Sequence, residues 1–461
     1  MKVEKTDGLR HGQCPCSHDI VLPPSPLPSL GLRDIIIVLV VAWAARLAFM
    51  LLLPPGARST DVFSWETVAK ILAAGGNPYQ ATTVLNWPPL WMQLLFCLSK
   101  VSVALGVPFL RVLQIFLILV ESVVMVLTIK LIRDVEPTTT NARQIALIGL
   151  ALNPIAVLLV CQHCNFDVLV ALWLMLFMNS LLRYNRTENV THWLSACLFL
   201  GLGILTKTVP LLLVPMLAGG FRRATATSRF IGSALLLGPV TLGMSIIFVL
   251  APADVTSKVL LYHSQVGAFG IPGLIRMALN DEYRRVYNLV FCGLLLTGFI
   301  LLSLLFWRRH CFGNRETVLF AAILLAAIPC LGPGYATQYI YWFMPFLVAT
   351  YAFFTRQWRV VLAGFALIAV CTYLFEYAVL PEYGSGLLYV LYPASLAGPD
   401  QSAVVLPSFY NNFPLVKYLA SARAHTLLQI PIFVAYLAVL VFGGRILCRQ
   451  IFPLRRRGVL E

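Results

Sequence analysis

The sequence predicts an all-α polytopic membrane protein, and three observations carry that prediction. Hydrophobic residues make up 59% of the chain and charged residues only 11%, whereas a soluble protein averages about 25% charged residues to cover its surface. The mean hydropathy of +0.83 agrees. Apolar runs recur along the whole chain, and a transmembrane helix needs roughly 20 such residues. About twelve spans would consume half of the 461 residues, leaving several loops but no separate soluble domain.

The N-terminal tail, 1–32, carries Lys2, Lys5 and Arg10 and a Pro-rich stretch at 23–28, and it does not read as a secretory signal. The expected spans are 33–53, 109–132, 144–161, 166–182, 192–206, 208–219, 229–250, 286–306, 317–330, 338–354, 359–379 and 426–447. The run 87–105 is read differently. It opens on Trp87-Pro88-Pro89, contains Lys100 and follows a long polar loop. If it does not cross, most of the 34 Lys and Arg residues fall on one side with both termini, as the positive-inside rule requires of the cytoplasmic face. If it did cross, every later Arg pair and the basic tail would face outward. A membrane-surface helix in the first outer loop is therefore expected. The net charge of +15 reads as topology, not as nucleic-acid binding. Four regions follow: the tail 1–32, a transmembrane core 33–355, C-terminal helices with a long outer loop over 356–447, and the basic tail 448–461.

With that topology the polar residues of interest gather on the outer side. In the first loop, 62–73 reads as a short helix with Asp61 at its N-cap and Glu66 paired with Lys70. Between the third and fourth spans, Gln162-His163-Cys164-Asn165-Phe166-Asp167 packs an imidazole, two amides and a carboxylate into six positions. A plain turn with a helix cap needs fewer polar groups than that. Lys207 sits between two short apolar runs, the second broken by Pro210 and Pro215. A cation at that depth is costly and usually functional, unless it snorkels to the interface. Two further segments are Tyr262-His263-Ser264-Gln265 and Gly334-Tyr335-Ala336-Thr337-Gln338-Tyr339, whose aromatics also suit an interfacial belt. Arg46 and Glu121, in the first two spans, are expected to pair structurally.

Competing chemistries are weaker. Cys14-Pro15-Cys16 with His18 is half a metal site with no second half. Cys161 and Cys164 have the spacing of a thiol oxidase, but no outer loop supplies a second pair to relay electrons. No metal-binding DxD triplet, phosphate-binding P-loop or dinucleotide fingerprint is present. A transporter or lipid flippase shares the span count and the broken helices. It would show paired broken helices in both halves, and the Lys207 segment has no second copy.

The residues that remain match a family pattern in order. An acidic residue opens the first outer loop (Asp61, with Glu66 near), then come Gly76-Asn77-Pro78-Tyr79 and Trp87-Pro88-Pro89-Leu90. Asn153-Pro154 opens a span ending in Cys164-Asn165-Phe166-Asp167, where the pattern has G-Q-F-D. Gly201 through Lys207 to Pro210, and Gln338-Tyr339 with Trp342 and Pro345, complete it. Over about 33–355 the chain resembles the GT-C superfamily of multi-span glycosyltransferases, most of all the bacterial polyprenol-phosphate-mannose-dependent mannosyltransferases. It is similar in layout to the dolichol-linked enzymes of the endoplasmic reticulum.

The resemblance implies inverting transfer of a hexose, mannose first among them, from a polyprenyl-phosphate sugar to a glycan or glycolipid acceptor. The site would face the periplasm in a bacterial inner membrane, or the lumen in the endoplasmic reticulum. Asp61 would act as base, and Lys207 with His163 or His263 would hold the leaving phosphate. Glu66, Trp87, Asn165, Asp167, Tyr335 and Gln338 would contact the substrates. No metal and no cofactor beyond the lipid-linked donor is expected.

Overall fold

The computed structural model describes residues 32–52, 59–82, 85, 87–137, 141–256, 259, 275, 281–308, 312–332, 336–379, 427 and 429–451. In chain order, α1 (Leu32–Leu52) precedes two short helices, α2 (Thr60–Ala73) and α3 (Pro78–Ala81), and then α4 (Pro89–Leu105) and α5 (Phe109–Val135). A broken stretch follows, in which α6 (Ala142–Ala146) and α7 (Pro154–Leu158) each continue for five residues in wider π-helical form. Next are α8 (Asp167–Thr187), α9 (Val190–Thr206), a 3-10 run (Val209–Leu217), α10 (Ala218–Arg223), α11 (Ala226–Leu250) and α12 (Pro252–Val255). The last elements are α13 (Asp281–Arg308), α14 (Asn314–Leu331), a 3-10 turn (Thr337–Trp342), α15 (Met344–Phe353), α16 (Arg356–Val379) and α17 (Ile430–Ile451).

The chain is an all-α, multi-pass membrane protein. Among the described residues eight helices are long and apolar enough to cross a membrane, and the broken pair Ala142–Ala151 and Pro154–His163, bent by 43°, makes a ninth. Helices α4, α9 and α15 are apolar but shorter. The run expected to cross at 208–219 is not an α-helix. It is wound as the 3-10 segment Val209–Leu217, with Pro210 in its first turn and Pro215 inside it.

The break at Asn153-Pro154 shows how local chemistry and packing meet. Pro154 has no N–H, so the Leu150 carbonyl loses its partner. The N–H of Ile155 is taken by the Asn153 side chain at 3.0 Å, which withdraws it from the ladder as well. The guanidinium of Arg46, from α1, fills the gap by donating to the Ala151 and Leu150 carbonyls at 2.7 and 3.4 Å. Its charge is met by Glu121 of α5 in a two-pronged pair at 2.5 and 2.6 Å, to which the Tyr341 hydroxyl adds a donor at 3.2 Å. Both charged side chains are fully buried. The expected structural pair is thus the clamp that holds the broken span to α1 and α5.

Two ends of the bundle can be told apart by contacts alone. One is basic. There Arg143 pairs with Asp34 at the start of α1, Arg186 with Asp134 at the end of α5, Arg223 with Glu188, and Arg315 with Glu136. Such exposed pairs add only about 0–1 kcal/mol each, so their use here is to mark orientation. At the other end, Arg111 of α5 donates to the Met50 carbonyl at the close of α1, and Gln114 donates to the Cys161 carbonyl. Helix α4 begins there, with Trp91 stacked on Phe166, and ends at Gly106, whose positive φ turns the chain into the first residues of α5. Close packing near this end depends on Gly201, where a Cβ would lie 2.5 Å from the Leu236 carbonyl and push α9 off α11.

Candidate functional site

Helix α2 is tied to the turn between α7 and α8, and this tie builds the site. Its N-cap is Ser59, not Asp61: the Ser59 hydroxyl oxygen accepts from the Val62 N–H at 3.2 Å. The same hydroxyl donates to the His163 carbonyl at 2.8 Å. One turn later, the Trp65 indole donates to the Cys164 carbonyl at 2.9 Å. The expected capping role of Asp61 is corrected by this geometry, and the carboxylate is released for other contacts.

Those contacts are with the turn. His163 Nε2 and Asn165 Nδ2 both lie 2.7 Å from Asp61 Oδ2. Cys164 between them sits at φ +52°, a left-handed conformation that lets the residues on either side reach the same oxygen. Asn165 Oδ1 meanwhile accepts from the Asp167 N–H at 2.9 Å, which fixes the amide's orientation. Behind the imidazole, the Tyr373 hydroxyl of α16 lies 3.3 Å from His163 Nδ1. Tyr373 thus contacts the ring at the nitrogen opposite the one that meets Asp61.

The two carboxylate oxygens of Asp61 are therefore unequal. Oδ2 holds two donors, whereas Oδ1 receives none among the described residues, and the side chain is 31% exposed. Burial pushes this carboxyl upward, but His163, Asn165 and the more distant Lys207 outweigh that and hold it below its ordinary value. The group is an oriented, ionised carboxylate whose Oδ1 has no partner among the described residues.

Lys207 forms the second half of the site. It sits in extended backbone between α9 and the 3-10 run, where the chain changes winding. Its ammonium lies 2.6 Å from Asp167 Oδ1 and within 4.7–5.1 Å of the ring centres of Phe166, Tyr339 and Trp342. Desolvated cation–aromatic contacts are worth about 2 kcal/mol or more, so Lys207 is a fixed cation rather than one that snorkels. Asp167 is fully buried, with Oδ2 lacking a partner among the described residues. Through Oδ1 it anchors Lys207.

An aromatic floor joins the halves. Trp65 meets Trp87, Trp91 and Phe166 edge-on at 4.7, 5.6 and 5.6 Å. The indole N–H groups of Trp87 and Trp342 are buried without a partner among the described residues. The indoles of Trp91, Trp173, Trp193 and Trp358 are buried in the same way. Asp61, His163, Asn165, Trp87, Asp167 and Lys207 are thus brought together. Glu66 stands apart: five residues on from Asp61, it points about 140° away around the helix. Gln338 lies half-buried in the 3-10 turn that supplies Tyr339 and Trp342. His263 and Tyr335 lie outside the described residues.

Tyr373 and Ser59 were not picked out by sequence reasoning. The signal for Tyr373 was the polar run Cys371-Thr372-Tyr373 inside an otherwise apolar span. Cys161 and Cys164 are both buried free thiols, and burial pushes the Cys164 thiol well up, which opposes thiolate chemistry. No group of three His, Cys, Asp or Glu side chains among the described residues is placed to hold a metal ion. Compared with known protein families and with curated proteins, the chain matches none.

Proposed function

We propose that this protein transfers a hexose from a polyprenyl-phosphate sugar to a glycan or glycolipid hydroxyl, with inversion, at the face opposite its basic end. The observation that supports it best is the pairing of an oriented carboxylate, one oxygen open, with a caged ammonium across an aromatic floor. A sugar bonded to a lipid phosphate carries its own leaving group. What the protein must supply is a base for the acceptor hydroxyl and a fixed cation for the charge that develops on the phosphate.

In this reading Asp61 Oδ1 takes the proton from the acceptor hydroxyl. The acceptor oxygen bonds to the anomeric carbon, the bond from that carbon to the phosphate oxygen breaks, and its electron pair leaves with the lipid phosphate. Lys207, which keeps further N–H donors after serving Asp167, holds that phosphate. The unpartnered indole N–H groups of Trp87 and Trp342 suit sugar hydroxyls. His163 and Asn165 act by fixing Asp61, while Glu66, Gln338, His263 and Tyr335 remain assigned to substrate contacts. The positive φ at Cys164 also supports the family resemblance, since the pattern places glycine there, the residue that adopts such a conformation most cheaply.

The proposal includes twelve crossings. The 3-10 run of nine residues rises about 18 Å at ~2 Å per residue, and α10 adds about 9 Å, together close to the ~30 Å hydrocarbon core. The pair formed by Thr337–Trp342 and α15 reaches a similar length, and α9 is the third short crossing. Reporters fused after Gly76 and after Gly106 should both read outside. The function is tested by incubating membranes with radiolabelled polyprenyl-phosphate-mannose and, separately, -glucose. Label should enter a product from one of them, and no transfer from either would defeat the reading. The bent span at Asn153-Pro154 also suits a transporter, which would move a labelled lipid or sugar across vesicles without forming a new glycosidic bond.

A further inference from the structure

A cavity of about 490 Å³ opens on the side of the bundle between the broken span α6–α7 and helices α15 and α16. It starts among Asn141, Gln144 and Tyr351 at the basic end and reaches Ile155, Phe365 and Ala369. The distance along the broken span from 141 to 155 is about 20 Å at 1.5 Å per residue, well over half the depth of the hydrocarbon core. Its walls are mostly apolar. Gly149 closes one wall tightly, since a Cβ there would meet Val348 at 2.8 Å, whereas Ala363 and Ala366 leave the other wall shallow and exposed.

Such a space cannot stay wet. Water needs two to four polar partners to occupy a cavity, and the deep part of this one offers apolar side chains. Open to the side within a membrane, it will take hydrocarbon. The question is which lipid, and the rim decides it. Arg359 donates from Nε to the carbonyl of Tyr351, a residue of the rim, and lies 5.7 Å over the Tyr351 ring. Arg356 precedes it by one turn on α16, and both side chains are exposed. Neither has a carboxylate partner among the described residues, unlike Arg143, which is held by Asp34. Basic clusters of this kind beside intramembrane cavities favour anionic lipid headgroups.

We propose that this cavity is a binding site for one anionic glycerophospholipid, with an acyl chain seated along α6–α7 and its phosphate against Arg356 and Arg359. The site lies at the opposite end from Asp61 and Lys207 and does not depend on the transferase reading. A lipid held there would support the bent span from the side that Arg46 does not reach.

The test is native mass spectrometry of the full-length protein in detergent, after incubation with phosphatidylglycerol or phosphatidylcholine of identical acyl chains. Bound phosphatidylglycerol should exceed phosphatidylcholine on the order of tenfold at low salt, as expected of two arginines at a membrane surface. R356Q/R359Q should abolish that preference while leaving weak binding of both lipids. Ala366→Phe, or the milder Ala363→Leu, should fill the cavity from an exposed position and remove binding of both without lowering the thermal midpoint of the lipid-free protein. Equal retention of the two lipids overturns the proposal, as does phosphatidylglycerol retention unchanged in a folded cavity-filling variant. Displacement of phosphatidylglycerol by equimolar polyprenyl phosphate would also overturn it, since the groove would then belong to the donor.

Discussion

Asp61→Asn separates a catalytic carboxylate from a merely structural one. Because Ser59 caps α2, the helix does not need the Asp61 side chain, and the asparagine carbonyl oxygen can still accept from His163 and Asn165. What changes is charge. Two charge-assisted hydrogen bonds of about 1.5–3 kcal/mol become neutral ones of about 0.5–1.5 kcal/mol, so stability should fall by roughly 1–3 kcal/mol, and membrane expression should survive. Turnover should fall much further, since general-base catalysis contributes about 10²–10⁴-fold. The assay is initial-rate transfer from the labelled donor in membranes matched for protein level. Donor binding is measured separately by retention of the labelled lipid on the purified protein. Asp61→Glu keeps a base displaced by a methylene and should retain partial activity. An Asn variant within a few-fold of the wild-type rate, in membranes where the wild type is active, would refute the reasoning.

Four other outcomes follow from the geometry. Asn165→Ala removes a donor to ionised Asp61, so that carboxyl should titrate higher and the acid limb of the pH–rate profile should move to higher pH; an unmoved limb would detach Asn165 from the base. Asp167→Asn should loosen Lys207 and raise KM for the lipid donor more than it changes kcat, read from initial rates across donor concentration. Removing one partner of the buried Arg46–Glu121 pair should cost about 3–5 kcal/mol, and the double change to leucine should not restore the thermal midpoint, because the Leu150 and Ala151 carbonyls would lose their donor. Cys164→Gly relaxes the positive-φ turn and deletes a thiol, and transfer should persist; abolished activity with normal folding would revive thiol chemistry.

The fold class and most helix positions were legible because membrane burial acts on every residue of a span, so composition alone reports it. Winding was less legible. The run 208–219 is as apolar as its neighbours, and hydropathy says nothing of how its backbone is wound; only Pro210 and Pro215 hinted at the 3-10 form. The π-helical stretches flanking Asn153-Pro154 left no hydropathy signal either, and the free carbonyls of the first are met by Arg46, more than a hundred positions away. The Arg46–Glu121 pair was legible for the opposite reason: a lone charge in hydrocarbon is so costly that two of them in adjacent spans must be read together.

The site was legible in its parts but not in its pairings. Sequence reasoning placed Asp61, His163, Asn165, Asp167 and Lys207 on one side, since polar groups at a membrane edge stand out against an apolar background. It could not tell which would bond to which. Asp61 was read as a cap because Asp serves well there, yet Ser59, two residues earlier, serves equally well and took the position. Asp167 and Lys207 each looked like a substrate contact, and nothing in the sequence paired them across 40 residues. Tyr373 was hidden among aromatics of a kind that every membrane span carries. These are long-range choices, made by packing after the helices exist. They are also the choices that matter for chemistry, because a carboxylate held by two donors through one oxygen presents the other in a fixed direction. A free carboxylate or a helix cap does not.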